Sequence, residues 1–181
     1  MKVISGKYKG RILKGHDLEG TRPTMDRVKE SLFAMIQAEI AEKNILDLFA
    51  GSGNLGIEAL SMHAKKVYFV DKNKKAIKYI QENLNTLDIE KEKYLLINKD
   101  YKDALSELKE KKIDIILLDP PYNTDYIEQA FLLINKYNMI NKNGLIICET
   151  DKLIKIPTKE DLKEIKNKKY GDKYIVIFRK I

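Results

Sequence analysis

The sequence predicts an α/β fold built on a doubly wound, mostly parallel β-sheet. Apolar runs of strand length alternate with longer segments of helical apolar spacing, and the first run leads into a glycine-rich loop. The last two runs flank a turn at Gly171-Asp172, which is typical of a terminal antiparallel hairpin. Alternating strands and helices predict a parallel sheet covered on both faces, with the hairpin as an antiparallel edge.

The chain begins with a basic segment that we predict to be a short β-hairpin arm. Residues 1–15 hold five basic groups, no acidic group and three glycines that favour turns. Apolar residues at helical spacing then predict an amphipathic helix over about 25–41. We therefore divide the chain into an N-terminal arm, residues 1–23, and an α/β domain, residues 24–181. The arm suits contact with nucleic acid, and the alternative is a hairpin that caps the sheet.

The domain repeats a pattern of strand, loop and helix. Predicted strands cover 45–50, 67–70, 94–97 and 144–149, and the two hairpin strands cover 162–169 and 174–178. A further strand begins at Ile113 and must leave the sheet at Pro120. Predicted helices cover 55–64, a segment with Ile77, Ile80, Leu84 and Leu87 on one face, about 101–110, and a segment with Ile127, Ala130, Phe131 and Ile134 on one face.

Composition limits the class of protein. The 181 residues suit one domain, and 44% hydrophobic with 34% charged residues fit a soluble globular chain. No apolar run approaches the roughly 20 residues that span a bilayer, and one cysteine, Cys148, allows no internal disulfide, so we predict a cytoplasmic protein. Residues 1–29 hold 8 basic and 3 acidic groups and residues 152–181 hold 10 and 4. Such ends suit a polyanionic partner.

The glycine loop predicts a nucleotide-like cofactor. Gly51-x-Gly53-x-x-Gly56 follows a strand, and Asp71 lies 20 residues after Gly51, where an acid can hold ribose hydroxyls. Asp47 precedes the loop inside the strand, where a carboxylate would repel a pyrophosphate but attract an ammonium and a sulfonium. That favours S-adenosylmethionine over NAD; the alternative for Asp47 is an anchor for loop amides. Asp100 can accept from an adenine amino group, or serve as a surface turn residue.

The stretch Asp119-Pro120-Pro121-Tyr122 ends the fourth strand in a stiff corner. Proline has no N–H and cannot continue a central ladder, and two consecutive rings restrict the backbone. The corner offers fixed acceptors from Asp119 and Pro120 and a flat ring from Tyr122, which suits an exocyclic amine on a nucleobase. The alternative is a tight exit from the sheet with Tyr122 as a packing residue.

The loop and the corner, together with Ile4–Arg11 and the segment Thr21–Glu30, resemble the bacterial small-subunit rRNA methyltransferase D family over almost the whole chain. That family methylates the N2 amine of a guanine in 16S rRNA. The resemblance implies a Rossmann-like, class I S-adenosylmethionine-dependent methyltransferase that releases S-adenosylhomocysteine. It also implies a substrate that is the small ribosomal subunit or its assembly intermediate.

The motifs, together with the family resemblance, imply three groups of site residues. Those predicted to bind the cofactor are Asp47, Phe49, Gly51, Ser52, Gly53, Gly56, Asp71, Lys72, Asp100 and Asp119. Those predicted to hold the base for catalysis are Asp119, Pro120 and Tyr122. Those predicted to contact RNA are Lys7, Lys9, Arg11, Arg22, Thr24 and Arg27.

We expect a monomer without a metal and without a membrane partner. Two rival functions remain open from the sequence. A DNA adenine-N6 methyltransferase would share the Asp-Pro-Pro-aromatic corner, although the chain leaves little room for a base-reading domain. A non-catalytic RNA-binding factor would need the cofactor site only as a remnant, which the intact acids and glycines of the loop argue against.

Overall fold

One seven-stranded sheet organises the protein. The computed structural model describes residues 1–15, 17, 24–152, 154, 156 and 161–181, without the side chains of Thr24 and Met25. The strands are β1 (Asn44–Asp47), β2 (Lys66–Val70), β3 (Tyr94–Ile97), β4 (Ile113–Leu118), β5 (Ile140–Thr150), β6 (Leu162–Tyr170) and β7 (Lys173–Lys180). Their order is β3-β2-β1-β4-β5-β7-β6, in which β1 to β5 pair in parallel and β7 pairs antiparallel with both neighbours.

Five α-helices cover the two faces of the sheet. They are α1 (Thr24–Ile36), α2 (Asn54–Ser61), α3 (Lys74–Thr86), α4 (Tyr101–Glu107) and α5 (Tyr126–Lys136) among the described residues. Side chains of α1, α2 and α3 pack with Ile45 and Ile115, whereas those of α4 and α5 pack with Leu46 and Ile116. Successive strand residues thus face opposite layers, as the period of two requires. The predicted doubly wound α/β fold with its terminal hairpin is confirmed.

Several element boundaries differ from the predicted ones. The first helix stops at Ile36 and continues only as a short 3-10 turn, Gln37–Glu39, rather than running to 41. Strand β1 ends at Asp47, because the residues that follow turn into the loop. Strand β5 begins four residues early. A side chain at Gly144 would bring its Cβ within 2.8 Å of the Asp114 and Asn141 carbonyl oxygens, so glycine is needed where this strand passes its neighbour.

The N-terminal segment packs on α2 instead of standing away from the domain. The two ends of the segment pair as a short hairpin: around the bridge of Lys2 with Ile12, Val3 N donates to Arg11 O, Gly10 N to Val3 O and Leu13 N to Met1 O. The backbone amides of Ile4 and Ser5 donate to the Glu58 carboxylate at 3.0 and 2.6 Å, and Lys7 N donates to Ser61 O at 2.8 Å. Residues 18–23 lie outside the described residues, so the division between 23 and 24 stays a prediction. None of the described helices is long and apolar enough to cross a membrane.

Candidate active site

A cavity of about 750 Å³ opens at the carboxyl edge of the sheet. Strands β1 and β4 lie side by side there, with Asp47 opposite Leu117, although β2 and β3 follow β1 in the chain. The strand order therefore reverses between β1 and β4, which makes this crevice the topological switch point where open α/β sheets bind ligands. The glycine loop after β1 and the Asp119-Pro-Pro-Tyr corner after β4 both line it.

The glycine loop is fixed by Asp47 from below. The Asp47 side chain is fully buried, and its Oδ2 accepts from Gly56 N at 2.9 Å in the first turn of α2. Burial raises the Asp47 pKa to about 7, although the Gly56 amide lowers it and the Asp71 charge adds to the rise. A Cβ at Gly56 would lie 2.2 Å from the Phe69 ring, so glycine allows α2 to pack on β2. Asp47 both anchors the loop and lines the cavity.

Two further acids follow the next strands and are held by backbone amides. Asp71 accepts from Gly51 N and from Asn73 N, both at 2.8 Å. Asp100 caps the N-terminus of α4 by accepting from Lys102 N at 3.0 Å. Both line the cavity. Their orientation is therefore set by the local backbone before any ligand arrives.

An aromatic wall closes the side of the cavity between α4 and α5. Phe49 and Tyr126 are nearly parallel, with ring centroids 6.0 Å apart, and Tyr101 tilts against both at 5.2 and 5.1 Å. The Tyr101 hydroxyl donates to Gln129 Oε1 at 2.8 Å. All three rings line the cavity and suit the faces of a purine. Phe49 was predicted as a cofactor residue, whereas Tyr101 and Tyr126 were missed.

A row of charged side chains crosses four neighbouring strands on the other side. Asp47 ends β1, Asp119 follows β4, Glu149 lies near the end of β5, and Lys173 begins the antiparallel β7. Leu118 pairs with Cys148 and Glu149 with Ile175, which sets these four residues at one edge. In each strand, the residue two positions away from the charged one packs toward α1 to α3. Because residues two positions apart in a strand face the same side, the row lies on that face of the sheet.

Within this row, Glu149 and Lys173 form a buried ion pair through Glu149 Oε1. The Tyr122 hydroxyl lies 3.5 Å from the same oxygen, and the Lys173 ammonium lies 5.1 Å from the centre of the Tyr122 ring. Burial would lower the pKa of Lys173, but the hydrogen bond and charge of Glu149 raise it overall. Lys173 therefore stays protonated beside the corner that Asp119 and Tyr122 form.

The environment of Asp119 disfavours its charged form. Burial raises the pKa of Asp119 well above its ordinary value, and the charges of Glu149 and Asp47 raise it further, while Lys173 opposes them. When ionised, the carboxyl groups of Asp47, Asp119 and Glu149 outnumber the one ammonium of Lys173, so the row then offers an excess of acceptors. Such a set suits a ligand that presents N–H donors.

A buried network holds the loop from behind. Lys29 Nζ donates to Lys2 O and Asn54 Oδ1, both at 2.7 Å, and lies 3.0 Å from Glu58 Oε2. Burial lowers the Lys29 pKa, and the Glu58 charge opposes that shift. Because Glu58 also accepts from Ile4 and Ser5 amides, the network joins the N-terminal segment, α1 and α2 into one support. Lys29 had no predicted role.

Most predicted cofactor residues reach the cavity. Asp47, Phe49, Gly51, Ser52, Asp71, Lys72, Asp100 and Asp119 line it, as do Pro120 and Tyr122. Gly53 and Gly56 do not line it and shape the loop instead: Gly53 has φ of 81° at the N-cap of α2, a left-handed conformation that favours glycine.

Among the described residues, the side chains predicted to contact RNA do not line the cavity. Lys7 and Lys9 are exposed at the tip of the N-terminal segment. The backbone of Lys7 contacts Ser61, the last residue of α2. The eight residues of α2 place that end of the helix about 12 Å from the glycine loop. Arg11 is exposed and donates to Thr86 O at 3.2 Å, and Arg27 is exposed on α1. Arg22 lies outside the described residues, as does the side chain of Thr24.

The cavity fits S-adenosylmethionine. Its volume lies within the 300–1,000 Å³ typical of small-molecule sites. Asp47 and the loop from Phe49 to Ser52 would hold the charged methionine end, Asp71 the ribose hydroxyls, and Asp100 with the aromatic wall the adenine. Gly51 has nothing within 4 Å of where a Cβ would stand, so the loop leaves open space at its turn. In the part of the chain that the structure describes, no three acidic, histidine or cysteine residues cluster as a metal site.

Comparisons with known proteins agree with this geometry. The family described as conserved hypothetical protein 95 matches residues 1–179. The chain is 39% identical to ribosomal RNA small subunit methyltransferase D of Haemophilus influenzae, over 94% of this chain and 89% of the relative. It is 32% identical to the protein of the same name from Escherichia coli, over 87% and 78%. The solved yhhF structure from Escherichia coli superposes with a TM-score of 0.88 at 26% identity, over 99% and 97% of the two chains.

Fold, cavity and matches define the class: the protein is a methyltransferase that uses S-adenosylmethionine. More narrowly, the chain belongs to the conserved hypothetical protein 95 family, together with the ribosomal RNA small subunit methyltransferase D proteins. The family resemblance and the cofactor predicted from the sequence are confirmed.

Proposed function

We propose that the protein transfers a methyl group to the N2 amine of a guanine in 16S rRNA, within the small ribosomal subunit or its assembly intermediate. The observation that carries this proposal is the shared cavity of the glycine loop and the Asp119-Pro-Pro-Tyr corner. Relatives named ribosomal RNA small subunit methyltransferase D support an RNA substrate, and the basic chain ends agree with it.

The corner residues hold and activate the amine. The lone pair of an exocyclic amine is delocalised into the base, so hydrogen bonds from its protons to Asp119 and the Pro120 carbonyl favour a lone pair localised on nitrogen. When bound, S-adenosylmethionine supplies the electrophilic methyl group, and its carbon–sulfur bond breaks as the carbon–nitrogen bond forms. The nitrogen then sheds one proton, which the Asp119 carboxylate accepts and passes to water.

The Tyr122 ring supports the base on one face. Its side chain is 41% exposed at the rim, with the hydroxyl near Glu149 and the ammonium of Lys173 beside the ring. The corner lies inside a cavity, so the target guanine must leave its stack, which is least costly for a loop nucleotide. Most of the rate enhancement then comes from positioning and from exclusion of water.

We also propose that the protein acts as a monomer in the cytoplasm. The exposed side chains of Lys7, Lys9, Arg11 and Arg27, together with Arg22 and Thr24, would contact RNA beyond the cavity. A DNA adenine-N6 methyltransferase is not favoured, because the full-length relatives are named as ribosomal RNA enzymes.

The test uses small subunits from a strain that lacks its own methyltransferase D. Purified protein and methyl-labelled S-adenosylmethionine are added, and the modified nucleotide is mapped by primer extension and mass spectrometry. We expect one N2-methylguanine in 16S rRNA and no product with the Asp119→Ala variant. Label on an adenine, or label on duplex DNA but not on the particle, would overturn the proposal.

A further inference from the structure

The Glu149–Lys173 pair is the part of the cavity to which the proposed reaction assigns no role. Glu149 is 5% exposed and Lys173 is 8% exposed, yet Glu149 lines the cavity. A buried ion pair contributes little to stability on average, because desolvation offsets the attraction. A second carboxylate–cation pair, Glu39 with Arg179, also ties the same strand β7 to the turn after α1, and it lies closer to the surface.

The position of Glu149 follows from strand register. Leu118 pairs with Cys148, so the residues after them, Asp119 and Glu149, lie on adjacent strands at the same edge. Adjacent strands are about 4.8 Å apart. Two neighbouring nitrogens of one base can therefore each donate a hydrogen bond, one to Asp119 and the other to Glu149, if the two bonds diverge. The Glu149 carboxylate contacts both Lys173 and Tyr122 through Oε1. Within the described residues, Oε2 is therefore the oxygen left for a ligand.

The donor pattern of the base decides what such an oxygen recognises. Guanine carries an N1–H donor next to its N2 amine, so its edge presents three N–H donors in a row. Adenine carries an acceptor, N1, beside its N6 amine, and cytosine carries an acceptor, N3, beside its N4 amine. An ionised carboxylate next to Asp119 would accept from guanine N1–H and would face a lone pair in the other two bases.

We propose that Glu149 is a specificity-determining residue that accepts from N1–H of the target guanine, and that Lys173 is a positioning residue that holds Glu149 Oε1 and so directs the carboxylate. This inference rests on the proposed guanine-N2 methyltransferase function and names the group that selects guanine. Asp119 and Pro120 bind the amine of any base with an exocyclic nitrogen. Glu149 adds the contact that only guanine satisfies, and leaving it unpaired penalises the other bases.

The test replaces the target guanine with 2-aminopurine, which keeps the N2 amine but has an acceptor at N1. Small-subunit particles are assembled with 16S rRNA that carries either base at the methylated nucleotide. For the wild-type protein we expect kcat/KM to be about 10³-fold higher for guanine. In Glu149→Gln, the amide can donate to N1 of 2-aminopurine. We therefore expect the ratio of kcat/KM for guanine to kcat/KM for 2-aminopurine to fall by about 10- to 100-fold.

Binding gives a second readout that does not need turnover. With S-adenosylhomocysteine present, we expect Glu149→Gln to tighten binding of the 2-aminopurine particle relative to the guanine particle. The matched control is Glu39→Gln, which removes the surface carboxylate of the pair with Arg179 and should leave both ratios at the wild-type value.

Two outcomes separate the two proposals. If the wild-type protein methylates guanine N2 but Glu149→Gln keeps the wild-type ratios in turnover and in binding, the role of Glu149 is overturned and the proposed function stands. If the wild-type protein forms no N2-methylguanine, the proposed function itself fails. Glu149→Gln retains an oxygen for Lys173, so the fold is expected to survive the substitution.

Discussion

The two halves of the cavity hold their acidic groups in different ways. On the side that we propose to hold the cofactor, Asp47, Asp71 and Asp100 each accept from a backbone amide of the segment that follows them, and Asp71 also accepts from Gly51 N in the glycine loop. On the side that we propose to hold the substrate, Glu149 is held by the side chain of Lys173, and the charge of Glu149 raises the pKa of Asp119. The first arrangement is preorganised by the local chain, and the second depends on residues from different strands.

The two parts of the cavity should therefore respond differently to single substitutions. Backbone amides cannot change with a single substitution, so the cofactor half keeps its geometry while side chains vary. The substrate half consists of mutually interacting side chains, so a single substitution there changes both charge and recognition. Substitutions in each half, and outside both, can test that division.

The largest effect is expected for Asp119→Ala. Loss of the carboxylate removes the acceptor that orients the amine and takes its proton, so we expect kcat to fall by about 10³-fold. The affinity for S-adenosylmethionine, measured by calorimetry, should stay within a few-fold of wild type, because the cofactor half retains its acids. An equal loss of cofactor affinity and turnover would instead make Asp119 a structural residue of both halves.

A smaller effect is expected for Asp47→Asn. We expect S-adenosylmethionine to bind about 30-fold more weakly at pH 7.5, close to the ~2 kcal/mol typical of a hydrogen bond to a charged group. The wild-type Asp47 pKa is raised to about 7, and a cationic ligand favours the ionised form, so wild-type affinity should fall as the pH drops from 7.5 to 6.

In Asp47→Asn this pH dependence should largely disappear. The cofactor's own amino group titrates near pH 8, so the two proteins are compared at the same pH values by calorimetry. An identical fall in affinity for the wild type and the variant would show that a group other than Asp47 is responsible.

The acid limb of the pH–rate profile should move in opposite directions in two variants. Asp119 must be ionised to accept from the amine, so activity is lost as the pH falls through its raised pKa. The groups that act on it are Glu149, Lys173 and Asp47. Glu149→Gln removes a negative charge, lowers the Asp119 pKa and moves the limb to lower pH. Lys173→Met removes a positive charge and moves the limb to higher pH. Shifts of the same sign would contradict the coupling across β4, β5 and β7.

The smallest effect is expected outside the cavity. Replacing Lys7, Lys9 and Arg11 together with alanine should weaken binding of small-subunit RNA several-fold. The slope of log K against log salt should become shallower by about one for each phosphate that the variant no longer neutralises. This result would extend the substrate half to the N-terminal segment, whereas an unchanged slope would limit that segment to supporting α2.

A matched triple variant controls for net charge. Lys109, Lys111 and Lys136 are exposed near α4 and α5, on the face of the sheet opposite the N-terminal segment. Their replacement with alanine removes the same charge and should leave the salt slope at the wild-type value.

Much of the cofactor half was predictable because its signals are local. Asp47, Gly51 and Gly56 lie within ten residues, Asp71 directly follows a predicted strand, and Asp100 lies three residues after the end of the next one. Parallel strands bring their carboxyl ends to one edge, so acids at strand ends predict a shared site. Glu149 carries the same signal at the end of a predicted strand, and it was missed because no glycine loop or proline corner accompanied it.

The N-terminal segment shows where local patterns do not suffice. Its basic residues and glycines predicted the short hairpin that pairs Lys2 with Ile12, but not the contacts by which Glu58 and Ser61 hold several of its backbone amides. Glu58 is also paired with Lys29 from α1. Such contacts join residues about 25 to 55 positions apart, and neither period nor composition records them.

The alternating elements, the glycine loop and the proline corner can be read from the chain alone, because apolar period and backbone restriction act over a few residues. The switch point between β1 and β4, and the row in which Asp119, Glu149 and Lys173 meet, follow only from the folded sheet. That row depends on β7 inserting antiparallel between β5 and β6, and strand order is fixed by packing across the whole sheet.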